Sequence, residues 1–145
     1  MPVEIAFHDR PHEFDYPGMM KVRSDSCLWH KECLLNIGGR ELRKRGFENV
    51  GYLDGDIGIA TSEEKWLEGL VAKLGEFRAV QAFESIDHIF YDKTVSKRGS
   101  VAESMVEGKG IEECYIAGGA WAIDGKLFDT HGWYEENATG GGDTH

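Results

Sequence analysis

The sequence predicts an α/β fold, and three neighbouring segments carry that expectation. Asn49-Val50-Gly51-Tyr52-Leu53, too short for a helix after Gly46, reads as a buried strand that runs straight into Asp54-Gly55-Asp56. Thr61 and Glu64 form a capping-box pair, after which Trp66, Leu67, Leu70, Val71 and Leu74 recur with helical spacing until Gly75. Arg78 to Phe83 then reads as a second strand. Strand, helix and strand in that order are what a parallel crossover unit requires.

The remaining elements fall around this unit. Val3, Ile5 and Phe7 alternate as a strand does, and the chain from His8 to Met20, broken by Pro11 and Pro17, reads as loop. Ser24, Asp25 and Ser26 offer cap oxygens to a helix that carries Leu28, Trp29, Leu34, Leu35 and Ile37 and stops at Gly38-Gly39, with a basic turn from Arg40 to Arg45 after it. Ser85 to Glu113 is polar and weakly periodic, so a surface excursion is expected there, and Lys93, Lys97 and Arg98 form its basic cluster. Tyr115 to Ile123 is a third apolar run containing Gly118-Gly119. Lys126 to His131 reads as one or two helical turns closed by Gly132.

Length and composition narrow the function classes. With 145 residues, 41% hydrophobic and 29% charged, the chain fits a single domain with a moderate core. No run of about 18 apolar residues occurs, and Pro2-Val3-Glu4 after Met1 is unlike a secretory leader, so neither a membrane span nor secretion is expected. The 16 Lys and Arg against 26 Asp and Glu leave a charge of −10, which argues against broad nucleic-acid binding. Three cysteines, Cys27, Cys33 and Cys114, are an odd number and too few for a disulfide scaffold, so a reducing, cytoplasmic setting is expected.

Chemistry concentrates at Asp54-Gly55-Asp56. Ligands gather outside the carboxyl ends of strands in open α/β sheets, and two carboxylates one residue apart at such an end can turn toward one hard cation. Oxygen ligands of this kind suit Mg²⁺ or Mn²⁺ holding a diphosphate. The alternative is a plain turn in which Asp and Gly supply turn propensity. Cys27, His30 and Cys33 share one helical face, but structural zinc wants a fourth ligand, and Cys114 or His131 would have to come from far along the chain. Buried thiols are therefore the default expectation.

From residue 28 onward the chain resembles glycosyltransferases of the GT-A fold, a DxD-containing group of family-2-like or galactosyltransferase-like enzymes common in viruses and bacteria. Leu28-Trp29-His30-Lys31-Glu32-Cys33-Leu34-Leu35-Asn36 matches the pattern L-W-x-K-E-x-L-L-N almost position by position. Tyr52-Leu53-Asp54-Gly55-Asp56-Ile57 looks like the family's D-x-D, and Val80-Gln81-Ala82-Phe83, after Trp66, is similar to its V-V-Q-x-F strand. Gly118-Gly119-Ala120-Trp121-Ala122-Ile123, Gly132-Trp133-Tyr134 and Gly140-Gly141-Gly142-Asp143 follow in order, so the resemblance spans residues 28 to 143.

The resemblance implies a GT-A-like, Rossmann-like mixed sheet, mostly parallel and flanked by helices, and a metal-dependent transfer of sugar from a nucleotide donor, a UDP-sugar by preference, to an acceptor hydroxyl. Asp56 would hold Mn²⁺ or Mg²⁺, with Asp54 on the ion or the ribose, and the metal would stabilise the departing diphosphate. Gly118 and Gly119 would let backbone approach the donor sugar, or else mark a strand bulge. Lys31, Glu32, Asn36 and Trp121 are the further donor-binding candidates. Glu32 and Asn36, four residues apart, share a helical face, whereas for Lys31 solvent, and for Trp29 and Trp121 the core, is the commoner fate. Asp143 matches the acid that faces the acceptor and would act as general base, its alternative being a frayed polar terminus.

Relatives carry an extra strand and loop before the motif helix and a further metal ligand, often His, beyond the glycine-acid motif. Here only Val3 to Phe7 comes first and His145 comes last, so the chain reads either as a fragment or as a reduced form in which His145 stands in as ligand. A catalytically silent nucleotide-sugar binding module is the alternative function. A phosphatase of haloacid dehalogenase type ranks below both, because Gly58 stands where its motif wants Thr or Val.

Overall fold

The computed structural model describes residues 1–28, 30–109 and 116–134. They form a mixed α/β arrangement that divides into two compact units, one built from residues 1–48 and the described residues from 125 on, the other from residues 49–124.

In the first unit, β1 (Val3–Phe7) pairs in parallel with β2 (Met20–Ser24), Val3 opposite Met20 and Phe7 opposite Ser24. β2 lies at the end of the stretch expected to be loop; Met20, Val22 and Ser24 alternate with exposed Lys21 and Arg23 as a half-covered strand should. Helix α1 (Lys31–Lys44) departs from expectation at both ends. Its N-cap is His30, because the serine hydroxyls expected to cap it act locally: Ser24 Oγ accepts from the Ser26 amide at 3.1 Å and Ser26 Oγ from the Leu28 amide at 3.3 Å. The helix also runs through Gly38-Gly39 and takes in most of the basic segment expected to follow it.

Close packing explains those glycines. A Cβ on Gly39 would lie 2.6 Å from Cε2 of Phe128, and one on Gly38 would lie 3.3 Å from Cγ2 of Val3. Phe128 belongs to α4 (Gly125–His131), a short helix at the place expected from sequence, and is 3% exposed. Arg43 of α1 grips Asp129 of α4 through both carboxylate oxygens, at 3.0 and 2.7 Å, and also donates to the Phe47 and Glu48 carbonyls.

The second unit centres on a three-stranded sheet ordered β3 (Asn49–Leu53), β7 (Ala120–Asp124), β4 (Ala79–Gln81). β7 is antiparallel to both neighbours, with Val50 opposite Ile123 and Val80 opposite Ala122. The mostly parallel sheet is therefore corrected. β3 and β4 do run the same way, as a crossover through α2 (Glu63–Leu74) demands, but β7 enters between them and makes every ladder of this sheet antiparallel. Val50, Ala120, Ala122 and Ile123 are buried along this sheet.

Ser62, one residue later than expected, caps α2 by accepting from the Lys65 amide at 3.4 Å. The Trp66 indole N–H donates to the Ala82 carbonyl at 2.7 Å, which docks α2 beside the end of β4.

The expected surface excursion contains regular structure. β5 (Ser85–Ile89) and β6 (Val95–Gly99) form an antiparallel hairpin, and α3 (Val101–Val106) follows, capped by Ser100 Oγ accepting from the Glu103 amide. The turn is fastened by Asp92, whose carboxylate accepts from the Thr94 hydroxyl at 2.6 Å and the Thr94 amide at 3.0 Å. The hydroxyl bond first and the amide bond second hold the Asp92 carboxyl below its ordinary value. A depressed folded value means that the bonds favour the fold above the ordinary carboxylate range and that this contribution is lost as pH falls through the lowered value. Thr94→Ala should return the Asp92 titration toward the ordinary range in a carboxyl NMR titration, and an unchanged curve would contradict the bond pattern.

Candidate functional site

β3 delivers its last residues to an acidic turn. The Ile57 amide donates back to the Asp54 carbonyl at 3.2 Å, closing a β-turn over Asp54-Gly55-Asp56-Ile57. Asp54 is half-buried at the strand end and Asp56 is exposed. The β3–β7 ladder extends one step into this turn: the Asp54 amide donates to the Gly119 carbonyl at 2.8 Å. Two motifs 65 residues apart in sequence are thus neighbours.

Gly119 fits its place in two ways. Its φ of +93° is strained for an L side chain, and a Cβ there would lie 3.0 Å from Cε1 of Phe83 and 3.1 Å from Cδ1 of Ile57. Gly118 is also buried, and its carbonyl accepts from Gln81 Nε2 at 3.3 Å. Trp121 lies across the ladder from Tyr52 and from Gln81, and its indole N–H donates to the Ala117 carbonyl at 2.7 Å. Its polar edge therefore holds the glycine segment from below.

Gln81 is the residue that sequence reasoning did not single out. Only 7% exposed, it donates to the carbonyls of Ile116 (2.7 Å), Ala117 and Gly118, and its Oε1 accepts from the Ala102 amide at 3.0 Å. One buried amide thus ties the glycine segment to the start of α3, adding to the backbone bond from the Val101 amide to the Ile116 carbonyl at 3.2 Å. A polar residue inside the apolar pattern of Ala79 to Phe83 was the available signal.

The first unit holds Lys31, Glu32 and Asn36, all on α1. Lys31 is its half-buried first residue. Glu32 and Asn36 share one buried face, at 2% and 3% exposure. Asn36 clamps the chain after α4: its Oδ1 accepts from the Trp133 amide at 2.6 Å and its Nδ2 donates to the Tyr134 carbonyl at 2.8 Å. A cavity of about 520 Å³ opens in this unit between Arg40, Phe128, His131 and Tyr134. Cys27, expected to be buried, is exposed, with Sγ 3.4 Å from His8 Nε2, and Cys33 is half-buried; neither forms a disulfide. Asp143, His145, Trp29 and Cys114 lie outside the described residues.

Asp54 and Asp56 offer hard oxygen donors on a turn open to water, which suits a cation held by one or two carboxylates together with waters and phosphate oxygens. Among the described residues, no three His, Cys, Asp or Glu side chains group closely enough to enclose a metal by themselves. Mg²⁺ and Mn²⁺ carried in on a diphosphate fit such a donor set better than a structural ion does. No helix among the described residues is long and apolar enough to cross a membrane. No protein-family model, curated protein or solved structure matches this chain.

Proposed function

We propose that the chain is a GT-A-like glycosyltransferase that moves a sugar from a nucleotide donor, a UDP-sugar by preference, to an acceptor hydroxyl. The observation that carries this reading is the 2.8 Å bond from the Asp54 amide to the Gly119 carbonyl, which sets an open acidic turn beside a close-packed glycine segment. Asp56 and Asp54 would hold Mn²⁺ or Mg²⁺, which supplies charge stabilisation to the diphosphate as the glycosidic bond breaks. Gly118 and Gly119 would give the donor sugar a backbone surface to approach, the room beside Gly119 itself being filled by Phe83 and Ile57. Gln81 and Trp121 act as positioning residues that fix that segment's backbone.

In the transfer, the bond from the anomeric carbon to the diphosphate oxygen breaks and one to the acceptor oxygen forms. The acceptor's proton passes to a base, the role proposed for Asp143. His145 is proposed as a further metal ligand and Lys31 as a donor-binding residue of the motif helix; Glu32 and Asn36, buried and with the Asn36 amide committed to Trp133 and Tyr134, would contribute by holding that helix in place. A reducing, cytoplasmic setting belongs to the same proposal and rests on the odd, small number of cysteines in the sequence.

Incubation with a panel of UDP-sugars and Mn²⁺ tests the activity. Release of UDP, by slow transfer to water even without an acceptor, is the expected result. Metal-dependent UDP binding with no release against an acceptor library would replace the enzyme by a silent binding module, and phosphate release from phosphomonoesters would replace it by a phosphatase.

A further inference from the structure

The β5–β6 hairpin ends in an apolar tip that neither the sheet nor the acidic turn uses. Ile89 is 75% exposed, Val95 61%, Phe90 48%, and Tyr91 is exposed in full. Ile89 and Val95 are direct cross-strand partners, so they stand side by side on one face. Phe90, just past the end of β5, lies on the side of His88, with the two rings 6.3 Å apart. Four large apolar side chains thus surround one turn, Ile89 and Val95 on one face of it and Phe90 on the other, unlike the scattered exposure common on protein surfaces.

The charge on this hairpin runs against that of the chain. The hairpin, residues 85–99, carries Lys93, Lys97 and Arg98 against Asp87 and Asp92, a balance of +1 within a chain whose net charge is −10. Lys93 sits in the turn itself, at a φ of +66°, next to Asp92, whose carboxylate is turned onto the Thr94 hydroxyl and amide. Asp87 lies opposite Lys97, further from the tip. Aromatic and branched side chains at a projecting end, with cationic side chains just behind them, suit the boundary between acyl chains and anionic headgroups. A stable protein interface needs about 800 Å² from each partner, more than four side chains on a narrow turn provide, whereas shallow insertion into lipid needs only those side chains.

We propose that the tip of the β5–β6 hairpin docks on an anionic lipid surface, with Ile89, Phe90, Tyr91 and Val95 entering the headgroup boundary and Lys93 and Lys97 meeting lipid phosphates or carboxylates. This contact stands independently of the sugar-transfer reading.

Sedimentation of the full chain with vesicles of phosphatidylcholine and phosphatidylserine, in a ratio of about 7 to 3, tests it. Binding should exceed that to phosphatidylcholine vesicles by at least about tenfold and weaken in high salt. The double variant Ile89→Ser/Tyr91→Ser should lose about tenfold or more, and Lys93→Asn/Lys97→Thr should lose most of the preference for anionic vesicles. Both variants alter exposed positions, and unchanged far-ultraviolet circular dichroism confirms that each is folded. Equal sedimentation of the wild type and the folded variants would overturn the proposal. So would self-association of the wild type that disappears in Ile89→Ser/Tyr91→Ser without vesicle binding, because the tip would then join copies of the chain.

Discussion

Asp56→Ala is expected to lower sugar transfer by about a hundred- to a thousandfold, the size of effect seen when one group that stabilises developing charge is removed. The exposure of Asp56 makes this a clean test. Its carboxylate lies outside the packed sheet, so the variant should melt within about 0.5 kcal/mol of the parent, as substitutions at exposed positions generally do. Initial rates of UDP release, with thermal melting as the control for folding, check both halves. A large loss of stability in Asp56→Ala would instead assign the acidic pair to the turn.

Gly119→Val should be the most damaging substitution in the second unit. A β-branched residue at φ +93° carries backbone strain of about 1–3 kcal/mol, and forcing a side chain against Phe83 and Ile57 adds about as much again. Together these predict a loss of roughly 2–6 kcal/mol in urea denaturation, with donor binding lost in whatever fraction stays folded. Gly55→Ala is the matched control. A Cβ at Gly55 meets nothing within 4 Å, so that variant should be close to neutral. Equal effects at the two glycines would refute the packing argument.

What the sequence disclosed was local, and what it hid was tertiary. The strand Asn49–Leu53, the helix after Ser62 and the turns before Gly132 follow from short-range alternation, capping and helical spacing, and each stands within a few residues of its expected place. Gly38-Gly39 was misleading because a glycine that ends a helix and one that admits a neighbour look alike in sequence. Only the positions of Val3 and Phe128 distinguish them. The parallel sheet failed for a similar reason. Direction follows from the order strand, helix, strand, but nothing local reveals that the strand at Ala120–Asp124 returns between the other two.

The hairpin carried a readable sign, the Asp92-x-Thr94 pattern that makes the side-chain turn, inside a segment that its polarity marked as loop. In the candidate site, the acidic pair was legible as chemistry at a strand end. Its proximity to Gly118-Gly119 came from resemblance rather than spacing, because residues 65 apart have no local signal that joins them. Gln81 was quoted within a motif, yet its part in holding three carbonyls shows only when the segment from Ile116 to Gly118 lies beside it.

Calorimetric titration of UDP into the full chain, once with Mn²⁺ and once with a chelator, tests the metal-dependent donor site most directly. Clear binding with the metal, at least about tenfold weaker binding with the chelator, and no metal dependence in Asp56→Ala are expected. Equal affinity with and without the metal in the parent chain would contradict it.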